Sequence, residues 1–264
     1  MHPILFKIPL FGLFGKESIP VYSYGVLVAL GFLLGTWYIQ REAKREGEYP
    51  AKALDLIFYI IVSAILGSRI LFVLVAEREA FFQNPLHLFK IWQGGLVFYG
   101  GLVASLLTGW WYLKRHRLPL FKYFDFFIPA LALGHAVGRL GCFMSGCCYG
   151  RPLLHDVWYA VVFPANPSSL APSGIPLYPT QLMESGVEFL IFLGLNWKLK
   201  RKTFDGQIIA LYLICYAIVR FTLEFFRGDA ERGFVFGTGF STSQLIAIIL
   251  FAIGAGLYLY RRRK

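Results

Sequence analysis

Seven apolar segments alternate with short polar links along the chain, near residues 20–40, 55–77, 94–113, 123–142, 182–197, 207–227 and 243–260. A helix is the open-chain structure that satisfies its own backbone in lipid, and about 20 apolar residues carry one across the hydrocarbon. The pattern predicts an all-α integral membrane protein with seven transmembrane helices, built as a single polytopic membrane domain over residues 1–264. The longest stretch without helical periodicity, 144–180, is rich in Pro, Gly and Ser and is expected to form a small head segment between the fourth and fifth helices. Residues Met1 to Pro20 lack the basic region, apolar core and small-residue cleavage site of a signal peptide and read as an interfacial arm. No internal repeat or inverted symmetry points to a transporter.

Charge orients these segments. Basic clusters stand at Arg41, Lys44, Arg45 and Lys52, at Lys114, Arg115, Arg117 and Lys122, at Lys198, Lys200, Arg201 and Lys202, and at Arg261 to Lys264, together 16 of the 26 Lys and Arg. These are the first, third and fifth links and the C-terminal tail, which share one side of a seven-helix chain. The positive-inside rule makes that side cytoplasmic and puts the N-terminus and the head segment outside. Composition agrees with a membrane protein: 57% of the residues are hydrophobic, 18% are aromatic, and the mean hydropathy is +0.58. The net charge of +11 is broken into short clusters between apolar stretches, where it serves topology and contact with anionic membrane lipid, so nucleic acid is excluded as a partner.

Polar side chains inside the membrane are costly and mark function or ion pairing. With the orientation above they gather in the outer half of the bilayer. Tyr24 opens the first helix, Arg69 lies in the outer half of the second, and Tyr99 begins the third. His135 and Arg139 close the fourth, Gln181 and Glu184 open the fifth, and Arg220, Glu224 and Arg227 close the sixth. The last three stand at i, i+4 and i+7, so they are expected to share one helix face. An interfacial salt-bridge network is the competing reading. The functional one has Glu224 orienting one arginine while the other holds an anion, and Arg139 adds a further guanidinium, which makes a phosphate the natural ligand. Glycines such as Gly100 and Gly101 permit close helix packing or leave room for a bulky ligand. Asp55 and Asp125 read as solvated or helix-capping residues.

Three of the four cysteines, Cys142, Cys147 and Cys148, follow Arg139 closely. Facing an oxidising compartment they are able to form a disulfide, with connectivity that spacing does not give. A low-pKa thiol beside Arg139 is the other reactive reading. The C-x-x-x-x-C-C pattern fits no common zinc or iron–sulfur spacing, so no metal and no cofactor are expected. Cys215, alone in the sixth helix, reads as a small apolar filler.

These residues together resemble the bacterial prolipoprotein diacylglyceryl transferases over essentially the whole chain. The shared features are Tyr24-Gly25, Gly67-Ser68-Arg69, the Gly-Gly pairs around residue 100, Gly138-Arg139-Leu140-Gly141, Tyr178-Pro179-Thr180-Gln181-Leu182 with Glu184, and Arg220 through Glu224 to Arg227 with Asp229. The resemblance implies an enzyme of the bacterial cytoplasmic (inner) membrane, with its site facing the outer leaflet. Such an enzyme moves the diacylglyceryl group of phosphatidylglycerol onto the lipobox cysteine of a preprolipoprotein, forming a thioether and releasing glycerol 1-phosphate. It assigns Arg139 to the lipid phosphate and Arg220 with Glu224 to the essential polar face. Tyr99 is the further catalytic candidate, and Tyr24, Arg69, Gly100, Gly101, Gln181, Glu184 and Arg227 are the remaining substrate-binding candidates. The chain departs from the family at two places. Tyr99 replaces a histidine before Gly-Gly-Leu, and Cys142, Ser145 and Cys147 replace two amides and an acid after Arg139. A phenol with a pKa near 10 is a poor neutral base, so the departing proton is assigned to an activated Tyr99, to Glu224 or to the leaving phosphate. A non-catalytic phospholipid-binding or transport protein on the same scaffold is the alternative, and a thiol–disulfide enzyme a third.

Overall fold

The structure is a computed structural model that describes residues 2–9, 18–90, 94–155, 157–228 and 240–263. Seven long helices occupy the seven apolar segments: α1 (Ser23–Arg45), α2 (Pro50–Ala76), α4 (Phe98–Arg115), α5 (Leu120–Ser145), α6 (Thr180–Leu199), α7 (Gln207–Leu223) and α8 (Thr242–Arg262). A short helix, α3 (Arg78–Gln83), follows α2. By length and composition α1, α2, α5, α7 with its extension to Phe226, and α8 suffice to cross a membrane. Two others are less apolar: α4 ends in Lys114 and Arg115, and α6 carries Glu184, Glu188 and Lys198. The all-α expectation needs one correction. Strands β1 (Ile4–Pro9) and β2 (Ser18–Tyr22) pair antiparallel before α1, and β3 (Val161–Val162) pairs with β4 (Pro176–Leu177) within the segment between α5 and α6. Met1 and residues 10–17 of the expected interfacial arm lie outside the described residues.

Large apolar side chains point outward all along the helices, among them Leu33, Phe58, Val75, Leu107 and Leu190. That is the reverse of a water-soluble bundle and suits hydrocarbon surroundings. The last turns of α1, α4, α6 and α8 carry Lys or Arg, those of α2 and α5 carry none, and that of α7 carries Arg220, which is paired with Glu224.

The chain forms two compact units. One comprises residues 39–123 and is organised by α2 against α4. There the glycines act as packing surfaces: a Cβ on Gly100 would collide with the Gly67 carbonyl, and one on Gly101 with the Ser68 hydroxyl and the Ala64 carbonyl. Arg69 is 2% exposed and braces the loop ahead of α4, donating to the carbonyls of Leu88 (3.2 Å), Gly94 (2.8 Å) and Gly95 (3.4 Å) and facing Glu77 at 3.5 Å.

The other unit comprises residues 1–38 and 124–264. Helices α1 and α5 approach closely at Gly31 and Gly134, and Tyr38 donates to Asn196 of α6 at 2.9 Å. Asp125 is fully buried, which corrects the solvated reading and sharpens the capping one. Its carboxylate accepts from the backbone N–H groups of Gly206, Ile208 and Ile209 at 2.8, 3.0 and 3.3 Å, so a side chain of α5 caps α7. Ser241 and Gln244 form a reciprocal capping box that fixes the start of α8.

Candidate active site

The site grows from the C-terminal end of α5 and the N-terminal end of α6. Residues four apart on a helix share a face, so His135 and Arg139 project together from α5, and the Arg139 Nε–H donates to His135 Nε2 at 3.3 Å. Gln181, Glu184 and Glu188 occupy one face of α6 for the same reason, and all three are buried. Arg139 Nη2 bonds Glu184 Oε1 at 2.7 Å. His135 stands between two carboxylates, with Nε2 at 3.5 Å from Glu184 Oε1 and Nδ1 at 3.3 Å from Glu188 Oε1. Ser185 ties the two helices by donating to the Ala136 carbonyl at 2.7 Å.

Helix α7 contributes the second pair. Arg220 Nη1 meets Glu224 Oε2 at 2.9 Å in the expected i, i+4 arrangement, and Arg220 Nη2 donates to Ser243 Oγ at 2.7 Å in the first turn of α8. Glu184 lies within electrostatic reach of Arg139 and Arg220 alike, and Tyr216 of α7 feels both guanidiniums and the carboxylates of Glu184 and Glu188. One group is thus formed from α5, α6, α7 and α8. Between α7 and α8 an open apolar groove of about 230 Å³ is lined by Ala217, Phe221, Ala247 and Phe251 among others.

Arg227 corrects the sequence expectation. Helix α7 ends at Leu223, residues Glu224–Phe226 tighten into a 3-10 turn, and Arg227 is extended with φ −76° and ψ 144°. It leaves the shared helix face and bridges Gly150 in antiparallel fashion. Further main-chain bonds join Arg151 N–H to the Phe226 carbonyl (2.9 Å) and Gly228 N–H to the Tyr149 carbonyl (3.1 Å). Asp229 lies outside the described residues.

Of the other expected residues, Tyr24 packs over Gly141, two residues beyond Arg139, and is within electrostatic reach of that arginine. Gln181 donates to the Cys147 carbonyl at 2.8 Å. Arg69, Tyr99, Gly100 and Gly101 belong to the other compact unit, where Tyr99 is 52% exposed with its ring edge-on to Phe98.

Sequence reasoning missed Glu188, Ser243 and Tyr216. Glu188 was readable: a carboxylate one turn beyond Glu184 in an apolar helix is costly unless partnered. It also missed how the cysteines converge. All four are free thiols, and the sulfurs of Cys142, Cys147 and Cys148 lie within 4.8 Å of one another. The chain reverses at Gly146, φ +72°, and again at Cys148, φ +57°, a left-handed conformation that few non-glycine residues adopt. Hydrogen bonding by the other two thiols, and then the charges of Arg139 and Arg227, hold the Cys148 thiol well below the usual thiol range against the opposing effect of burial.

The chain matches the family model described as prolipoprotein diacylglyceryl transferase over residues 12–260. It is 34% identical over 260 residues to a phosphatidylglycerol–prolipoprotein diacylglyceryl transferase of Clostridium tetani, covering 98% of this chain and 97% of that one. Proteins of the same description from Bordetella parapertussis and Vibrio vulnificus are also 34% identical, over 248 and 255 residues. These matches cover 92% of both chains for the first, and 95% of this chain and 91% of its relative for the second.

Proposed function

The chain belongs to the prolipoprotein diacylglyceryl transferase family, and from that premise we propose how its residues carry out the transfer from phosphatidylglycerol to a prolipoprotein. The observation that carries the reading is the buried group in which Arg139 is clamped by Glu184 and His135 while Arg220 is clamped by Glu224 and Ser243. Two guanidiniums held in place by carboxylates form a preorganised receptor for a phosphodiester. As the glyceryl C–O bond breaks, charge accumulates on the departing phosphate, and donors already in position stabilise it most at that moment. The lipobox thiol attacks the glyceryl carbon, its proton passes to the departing phosphate, the C–O electron pair leaves with the phosphate oxygen, and the products are a thioether and glycerol 1-phosphate. The open apolar groove between α7 and α8 accepts part of an acyl chain.

The proposed setting is a bacterial inner membrane crossed seven times by α1, α2 and α4 to α8, with the active site facing the outer leaflet. The basic last turns of α1, α4, α6 and α8 support it. Residues 144–180 then form an external head beside the site, and Gln181 fastens the head to α6. Arg69 positions the loop leading to Tyr99, Gly100 and Gly101, and Tyr24 and Arg227 border the headgroup. The test is purified protein in phospholipid micelles with phosphatidylglycerol and a lipobox peptide. Glycerol phosphate should appear together with a peptide heavier by a diacylglyceryl group. Lipid binding without either product would overturn the enzyme reading in favour of a non-catalytic lipid-binding protein.

A further inference from the structure

We propose that Cys142, Cys147 and Cys148 form a trithiolate site for zinc(II), whose fourth coordination position receives the lipobox thiol of the substrate. The second half rests on the proposed function; the first does not. The three sulfurs come from different places, Cys142 from the last turns of α5 and the other two from the turn beyond it, yet they converge within 4.8 Å. A tetrahedral zinc with Zn–S bonds of about 2.3 Å sets its sulfurs about 3.8 Å apart. Small side-chain rotations therefore close this trio on an ion. Among the described residues no fourth His, Cys, Asp or Glu joins the group, and three protein ligands with one vacant position is the pattern of catalytic rather than structural zinc.

The backbone is arranged to keep the sulfurs together. Cys148 holds a left-handed φ of 57°, an outlier that persists only where surroundings enforce it. The enforcement is visible: Thr180 Oγ1 donates to the Cys148 carbonyl at 3.0 Å, Gln181 Nε2 donates to the Cys147 carbonyl at 2.8 Å, and Cys147 N–H donates to the Cys142 carbonyl at 3.1 Å. A zinc trithiolate carries a net negative charge, and Arg139 and Arg227 both act electrostatically on this cluster.

Position gives the site its use. Cys142 lies three residues beyond Arg139 on α5 and so on the same face, which sets an ion there beside the guanidinium assigned to the lipid phosphate. Coordination makes a thiol give up its proton, here to solvent. The zinc-held thiolate then attacks the glyceryl carbon, the C–O bond breaks with its electron pair passing to the phosphate, and the thioether, a weak ligand, leaves zinc. The arrangement thus activates the nucleophile that the substrate itself brings.

The experiment loads the full-length detergent-purified protein with cobalt(II) as a spectroscopic substitute for zinc. About one cobalt per chain is expected, with thiolate charge-transfer absorption and tetrahedral d–d bands. Separate Cys142→Ser, Cys147→Ser and Cys148→Ser variants, with folding checked by thermal midpoint, should weaken binding at least tenfold, while Cys215→Ser retains it. A lipobox peptide should shift the d–d bands, and the same peptide with serine for cysteine should not. No stoichiometric binding, or a thiol count and mass showing a disulfide among the three, overturns the site. A cobalt spectrum indifferent to the peptide overturns the fourth-ligand assignment. Diacylglyceryl transfer by metal-free protein would refute the zinc step and leave the proposed function standing. Metal binding without transfer would refute the proposed function, and the fourth-ligand step with it, and leave the trithiolate site standing.

Discussion

Arg139 is the residue on which the proposed chemistry turns, since it is the guanidinium held by both a carboxylate and an imidazole. Arg139→Gln is expected to lower kcat for diacylglyceryl transfer by about 10²–10³-fold, the usual cost of removing a donor aimed at developing charge. Arg139→Lys should recover only part of it, because an ammonium lacks the planar fork; full activity in the glutamine variant would refute the phosphate assignment. Glu188 makes a subtler prediction. It touches His135 and leaves the Arg139–Glu184 pair alone, so Glu188→Gln should reduce kcat about tenfold, roughly 1.4 kcal/mol, without raising KM for the lipid. At this scale the arginines were legible because a charge in an apolar run announces itself. His135 gained its significance only from the structure, since its two carboxylate partners sit 49 and 53 positions later on another helix.

Among the elements, α7 depends on a cap lent by α5. Asp125→Ala strips three N–H groups of their acceptor and should cost about 1–2 kcal/mol. That is read as a lower thermal midpoint in detergent, with transfer activity unchanged under conditions where the variant is folded. The α2–α4 contact should be less forgiving: Gly100→Leu places a branched side chain against the Gly67 backbone, and thermal scanning should show a larger loss than for Asp125→Ala. Helix positions were readable from the apolar runs, because lipid exposure requires hydrocarbon side chains along whole segments. The end of α7 was not. Continuing helical spacing through Arg227 ignored the competing main-chain partner at Gly150, which is remote in sequence. The cysteine cluster stayed hidden for a similar reason, because it is made by two left-handed turns that spacing rules do not encode.

For the whole molecule, orientation is the testable property. Single cysteines introduced into residues 152–175 of a variant lacking native cysteines should react with a membrane-impermeant maleimide in intact cells, and cysteines next to Arg201 or Arg262 should react only after permeabilisation. The opposite pattern would invert the topology. The basic clusters made this reading possible from sequence, whereas the division into two compact units was not visible there, since it depends on contacts between distant segments. The stitches joining residues 149–151 to 226–228 run between main chains. Bonds of that kind do not consult side-chain identity. The registration of the Arg139-bearing helix end with the Arg220-bearing one is thereby insulated from mutation. Side chains a few positions from Arg139, such as Cys142, Ser145 and Cys147, can therefore change while the Arg139 and Arg220 groups keep their alignment, so the proposed thiol chemistry and phosphate recognition can vary independently on one frame.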